Sequence, residues 1–163
     1  MAIFDSIRVG KQTIRMHIRN IGFLCLPFLA GLPVSAISDL ESFDKVNIVI
    51  NGAEYNLEIA KTQAQRSQGL MYRWNVAGKE GMLFIYPGPG DHRIWMRNTL
   101  IPLTVIWLDE NESVIAVKQL QPCDANFCPG YGVSRFSKYI IELKAGSHGI
   151  KPGDRITGLK LLE

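Results

Sequence analysis

The densest run of chemically useful side chains is RIWMRNT, residues 93–99. In an extended segment Arg93, Trp95 and Arg97 project from one face, and His92, Ile94 and Met96 from the other. A guanidinium stacked on an indole keeps its N–H donors for a carboxylate, a phosphate or a sugar hydroxyl. Asn98 and Thr99, which leave the strand ahead of Pro102, add hydrogen-bonding groups at its rim. Arg66 and Arg73 bracket a second stretch, RSQGLMYR. Together these residues outline a small polar-ligand site with an aromatic floor. The same pattern also arises when two arginines simply shield a surface tryptophan from water.

Glu142 is the second candidate. It lies in YIIELKAG (139–146), flanked by Ile140, Ile141 and Leu143, a setting that predicts a partly buried carboxylate. Such a group needs a partner or takes up a proton, and Arg97 or Arg73 is the expected partner. The alternative is an outward-facing Glu on an edge strand. Two classes of function follow. One is a non-catalytic module that binds a small polar or anionic ligand, glycans included, or a partner protein. The other is a small hydrolase in which Glu142 or His92 moves protons while arginines stabilise negative charge. With no nucleophile–base pair legible, binding is favoured.

Other chemistries find little support. His92 and His148 are the histidines beyond residue 17, and no HExxH spacing occurs, so no metal site is expected. No G-x-S-x-G elbow marks a nucleophile, and no glycine-rich loop marks a phosphate or dinucleotide, so no cofactor is expected either. Met71, Met82 and Met96 read as core filler rather than copper ligands.

The elements that must position these residues are mostly strands. KVNIVI (45–50) alternates into Asn51-Gly52, a strong hairpin signal, and AEYNLEIA (53–60) returns as its partner. Thr62 and Gln65 form a capping box for a short helix that Gly69 closes. A loop over about 71–80 follows. MLFIY (82–86) is a strand that PGPG (87–90) should break, and HRIWMR (92–97) alternates as a strand. LTVIWL (103–108) is almost continuously apolar and should lie centrally. SVIAVKQL (113–120), YIIELK (139–144) and RITGLKLLE (155–163) complete the set. The fold class expected is mainly β: a compact antiparallel sandwich or barrel-like domain with one short helix.

The chain has 163 residues with 18 Lys and Arg against 15 Asp and Glu, net +3. All of that excess lies in residues 1–36, and the remainder carries 14 charges of each sign. The neutral remainder predicts no nucleic-acid partner. Residues 1–36 read as a secretory signal: a basic stretch, the apolar run IGFLCLPFLAGLPV (21–34), then Ser35-Ala36 before a cut. The apolar run would span roughly 21 Å as a helix against roughly 30 Å of hydrocarbon, so no stable membrane span is expected after cleavage. The basic region is long, and Met16 is the expected true start. Residues 37–44 read as a short extension and 45–163 as one β domain, periplasmic or secreted. Export makes Cys123 and Cys128 an expected structural disulfide.

From residue 60 onward the sequence resembles the domain of unknown function 192 family. The resemblance is carried by AKTQAQRSQGLMYR (60–73), GMLFIY (81–86), WMRNTLIPL (95–103), Pro122-Cys123, YIIELKAG (139–146) and IKPGD (150–154). It implies a compact, mostly β domain and supplies no established reaction. The family pattern usually has Asp after Pro-Leu, where this chain has Thr104. The resemblance therefore implies that any activity depending on that Asp would be missing here.

Overall fold

Asn51 and Gly52 both adopt positive φ, 49° and 77°, the backbone an Asn-Gly hairpin turn requires. They join β1 (Asp44–Ile50) to β2 (Ala53–Ala60), paired antiparallel from Asp44↔Ile59 to Ile50↔Ala53. The computed structural model describes residues 41–123, 127–146 and 148–163; the leader read at residues 1–36 lies outside them.

β3 (Glu80–Gly90) runs parallel to β2, with Asn56↔Glu80 through Ala60↔Phe84. A parallel neighbour cannot be reached by a hairpin and needs a crossover. Residues 61–79 supply it, built around α1 (Gln63–Gln68). Thr62 Oγ1 accepts from the Gln65 N–H at 3.0 Å, and Gln65 Oε1 accepts from the Thr62 N–H at 3.0 Å, the expected reciprocal cap. The all-antiparallel expectation is thus corrected at one pair.

Then come β4 (Ile94–Trp95), β5 (Leu103–Leu108), β6 (Val114–Leu120), β7 (Gly130–Tyr131) and β8 (Ser137–Lys144). The main sheet has the order β1-β2-β3-β8-β5-β6, and β4 pairs with β7 in a small second sheet. Among the described residues the fold is mainly β with one α-helix, as expected.

Both faces of the main sheet are covered. Tyr139, Ile141 and Leu143 of β8 face one core with Leu57, Leu83, Ile106 and Leu159. Ile140 faces the other with Phe84, Val105, Trp107, Leu70 and Ile94. β5, covered on both faces, is buried at all six positions, which accounts for its almost continuously apolar sequence.

Three local expectations are corrected. PGPG does not end β3: the strand continues to Gly90, with a register shift between Ile85 and Gly90 at the two prolines that cannot donate to a ladder. HRIWMR keeps its alternation, with Ile94 and Met96 buried, but only Ile94 and Trp95 find a partner strand. RITGLKLLE forms no strand. Gly158 takes φ 96°, and a 3-10 helix follows at Leu159–Leu162. Its buried apolar residues, Ile156 and Leu159, recur at helical rather than strand spacing.

Cys123 and Cys128 form a disulfide with Cα atoms 5.2 Å apart, closing the loop between β6 and β7. Among the described residues no helix is long and apolar enough to cross a membrane.

Candidate functional site

α1, Tyr86 of β3 and the 93–99 segment stand around an open cleft of about 440 Å³ on the second-core face. Arg66, Arg93 and Trp95 form its rim, Phe84, Met71 and Ile94 line its apolar wall, and Glu142 forms its floor. The size suits a small molecule.

Glu142 faces the cleft because β8 alternates, and its cross-strand neighbours are Met82 on β3 and Val105 on β5. It is only 4% exposed. Burial alone pushes its carboxyl up to about 8; no described side chain donates to it or pairs with it. The expected burial is present, and the expected arginine partner is not.

Arg73 is engaged elsewhere. Its Nη1 and Nη2 donate to Glu58 Oε1 and Oε2 at 2.9 and 2.5 Å, and that bidentate pair raises the guanidinium's already high pKa. Glu58 shares a sheet row with Glu142, Met82 lying between them, so their backbone positions are two strand spacings or roughly 10 Å apart. The acid nearer Arg73 takes it. Arg97 stacks over Trp95, 5.5 Å from the ring centre, but does not line the cleft. Its predicted companion Arg93 turns to Asp91 instead, Nε to Oδ2 at 3.2 Å.

Arg66 is the better anchored rim cation. Its guanidinium lies 5.0 Å from the centre of the Tyr86 ring, and Nη1 donates to the carbonyls of Ile85, at 3.1 Å, and Lys61. Nε and Nη2 donate to no described group, so they stay available to a ligand. Trp95 is 44% exposed, and Thr99, itself buried, also lines the cleft.

Asn98 clips two loops together rather than meeting the cleft. With φ at 55°, it donates from Nδ2 to the Tyr72 hydroxyl at 2.7 Å, and its carbonyl accepts from the Tyr72 N–H at 2.8 Å. Tyr72 also has positive φ, 61°. Two non-glycine residues held in this region are a strained arrangement, and the mutual bonds keep it in place beside Met71 and Thr99. His92 stacks on Tyr86 with ring centres 3.6 Å apart and planes 8° from parallel. One ring nitrogen meets the Gly88 carbonyl at 2.9 Å. It braces Tyr86 and does not line the cleft.

The cleft therefore gathers Arg66, Arg93, Trp95, Thr99 and Glu142, and leaves out Arg73, Arg97, Asn98 and His92. Sequence reasoning missed Tyr86. Burial and the Glu142 charge push its hydroxyl up to about 12, against the lowering pull of Arg66. The available signal was its place at the end of GMLFIY, an aromatic hydroxyl just ahead of PGPG.

Thr104 lies on the opposite face of the sheet, alternating with Val105. Its hydroxyl donates to the Gly146 carbonyl and accepts from the Gly146 N–H, each at 3.2 Å. The departure from the family pattern is thus outside the cleft.

The DUF192 family profile, described only as "Uncharacterized ACR", matches residues 46–158. No curated protein matches the chain. Two crystal structures resemble it. One is a protein proposed as a transcription regulator from Sinorhizobium meliloti 1021, 27% identical, TM-score 0.63, with 72% of this chain and 95% of that one covered. The other is a protein of unknown function from Novosphingobium aromaticivorans DSM 12444, 27% identical, TM-score 0.62, covering 79% and 94%.

Proposed function

The chain belongs to the uncharacterised DUF192 family, and we propose that it is an exported, non-catalytic module that binds a small polar or anionic ligand in the cleft between α1 and the 93–99 segment. The observation that carries this reading is the composition of the cleft: two guanidinium groups at the rim, an aromatic and aliphatic wall, and a buried carboxyl at the floor. Arginines suit a carboxylate, a phosphate or a row of hydroxyls, and Trp95 offers a flat face to whatever lies between them. Export is supported by the basic–apolar–small order of residues 1–36 and agrees with the disulfide.

Native mass spectrometry of the chain purified from the periplasm tests this. The expected result is a retained small molecule that Arg66→Ala and Trp95→Ala both lose. Mass spectra of bare protein, together with no binding of any small polar or anionic probe, would end the proposal.

One observation favours a second reading. Glu142 has an acid strength suited to proton transfer near neutrality and lines the cleft. A hydrolase using it would lose turnover in Glu142→Gln while still binding substrate. A binding module has no turnover to lose.

A further inference from the structure

We propose that the cleft recognises an α-amino-acid-type zwitterion, its carboxylate on the Arg66 guanidinium and its ammonium on the Glu142 carboxylate. The inference rests on the reading of the cleft as a ligand site and names the class of ligand.

Glu142 is the observation that directs it. This acid is more than nine-tenths buried, lines a cavity wide enough for a small molecule, and has no donor from any described residue. Buried polar groups in folded proteins are paired, and this carboxyl opens onto the cleft, so its partner must come from there. The groups facing it leave that role vacant. β3 and β5 place Met82 and Val105 beside it. The ionisable groups around the cleft are Tyr86 from β3, Arg66 from α1 and Arg93 ahead of β4. Both arginines are committed in part, to the Tyr86 ring and main-chain carbonyls in one case and to Asp91 in the other.

Arg66 supplies the opposite end. Its guanidinium is fixed by the Tyr86 ring and the Ile85 carbonyl, with Nε and Nη2 uncommitted, so its planar fork is already organised for a carboxylate. Arg66 and Glu142 both line the one cleft of about 440 Å³, so a small ligand seated in it can meet both groups. A purely anionic ligand would satisfy Arg66 and bring nothing positive to Glu142. A neutral sugar would bring no anion to Arg66 and no cation to Glu142. A zwitterion uses both, and its side chain has the wall of Phe84, Met71 and Ile94 to rest on.

Proton accounting separates these cases. The free protein holds Glu142 protonated at pH 7, since burial raises its carboxyl to about 8. An arriving ammonium stabilises the carboxylate, so binding should release a proton to solvent. A ligand that merely accepts a hydrogen bond from the protonated acid releases none.

The test is calorimetric titration of the purified chain with each of the proteinogenic L-α-amino acids at pH 7, in buffers of differing ionisation enthalpy. At least one should bind, with net release of a proton. Its des-amino carboxylic acid and its decarboxylated amine should each bind about 10-fold or more weaker. Glu142→Gln should weaken the amino acid to the level of the des-amino acid and leave the latter unchanged, whereas Arg66→Ala should weaken both. The zwitterion is overturned if no amino acid binds, or if the des-amino acid binds as well as its parent. The broader ligand-site reading is judged separately, by whether native mass spectrometry finds a retained small molecule that Arg66→Ala loses.

Discussion

Glu142 binds its proton more tightly in the folded chain than in the unfolded one, where a carboxyl titrates near 4.5. Its contribution to stability is therefore fully present below about pH 4.5 and is lost as pH rises toward 8, at about 1.4 kcal/mol per unit. Glutamine at this position stays neutral throughout. Glu142→Gln should match the wild type near pH 4.5 and exceed it by roughly 3 kcal/mol or more at pH 8, read by denaturant unfolding at the two pH values. Equal stability at pH 8 would contradict the burial. Thr104→Ala should cost about 1–2 kcal/mol through the two bonds lost at Gly146 and leave cleft binding unchanged, because Thr104 lies on the other face. Sequence exposed part of this residue-level picture. The apolar flanks of Glu142 correctly announced burial, and the alternation around Trp95 correctly sorted buried Ile94 and Met96 from exposed Arg93 and Arg97. The partner of Arg73 was not legible. Glu58 on β2 meets it where the 61–79 crossover folds back on the sheet, and where a crossover lands depends on topology that no local pattern encodes.

The elements divide in the same way. The Asn51-Gly52 hairpin and the Thr62/Gln65 cap could be read directly, since each is decided by residues adjacent in the chain. Thr62→Ala should cost about 1 kcal/mol in thermal or denaturant unfolding by removing the cap. The parallel β2–β3 pairing was hidden because strand direction depends on where the crossover lands. The C-terminal segment looks like a strand from sequence because its apolar residues are too few to reveal their period. Gly81 of β3 deserves its own test, for it lets β3 approach β8 beside the cleft floor. A Cβ there would overlap the Glu142 carbonyl oxygen and crowd Leu143 Cδ2 at 2.8 Å. Gly81→Ala should cost roughly 3 kcal/mol or more, measured by unfolding. A well-folded variant of wild-type stability would show that the two strands have slack.

Across the whole molecule, two cores on opposite faces share one sheet, and the disulfide closes only the loop leaving β6. Reduction of Cys123–Cys128, five residues apart in sequence, should lower stability by about 2 kcal/mol. A lowered melting temperature with unchanged far-ultraviolet circular dichroism is the expected signature. The order β1-β2-β3-β8-β5-β6 has a further consequence, for the timing of folding. The strand that carries Glu142 is the last of the described strands and sits between β3 and β5. Until residues 137–144 arrive, the nascent sheet is two separate pieces, each presenting an open edge. Neither piece has the other half of its cores. A chain ending at Phe136 should therefore show no cooperative melting, and during synthesis or translocation the cleft floor is laid only after nearly every other wall of the pocket exists.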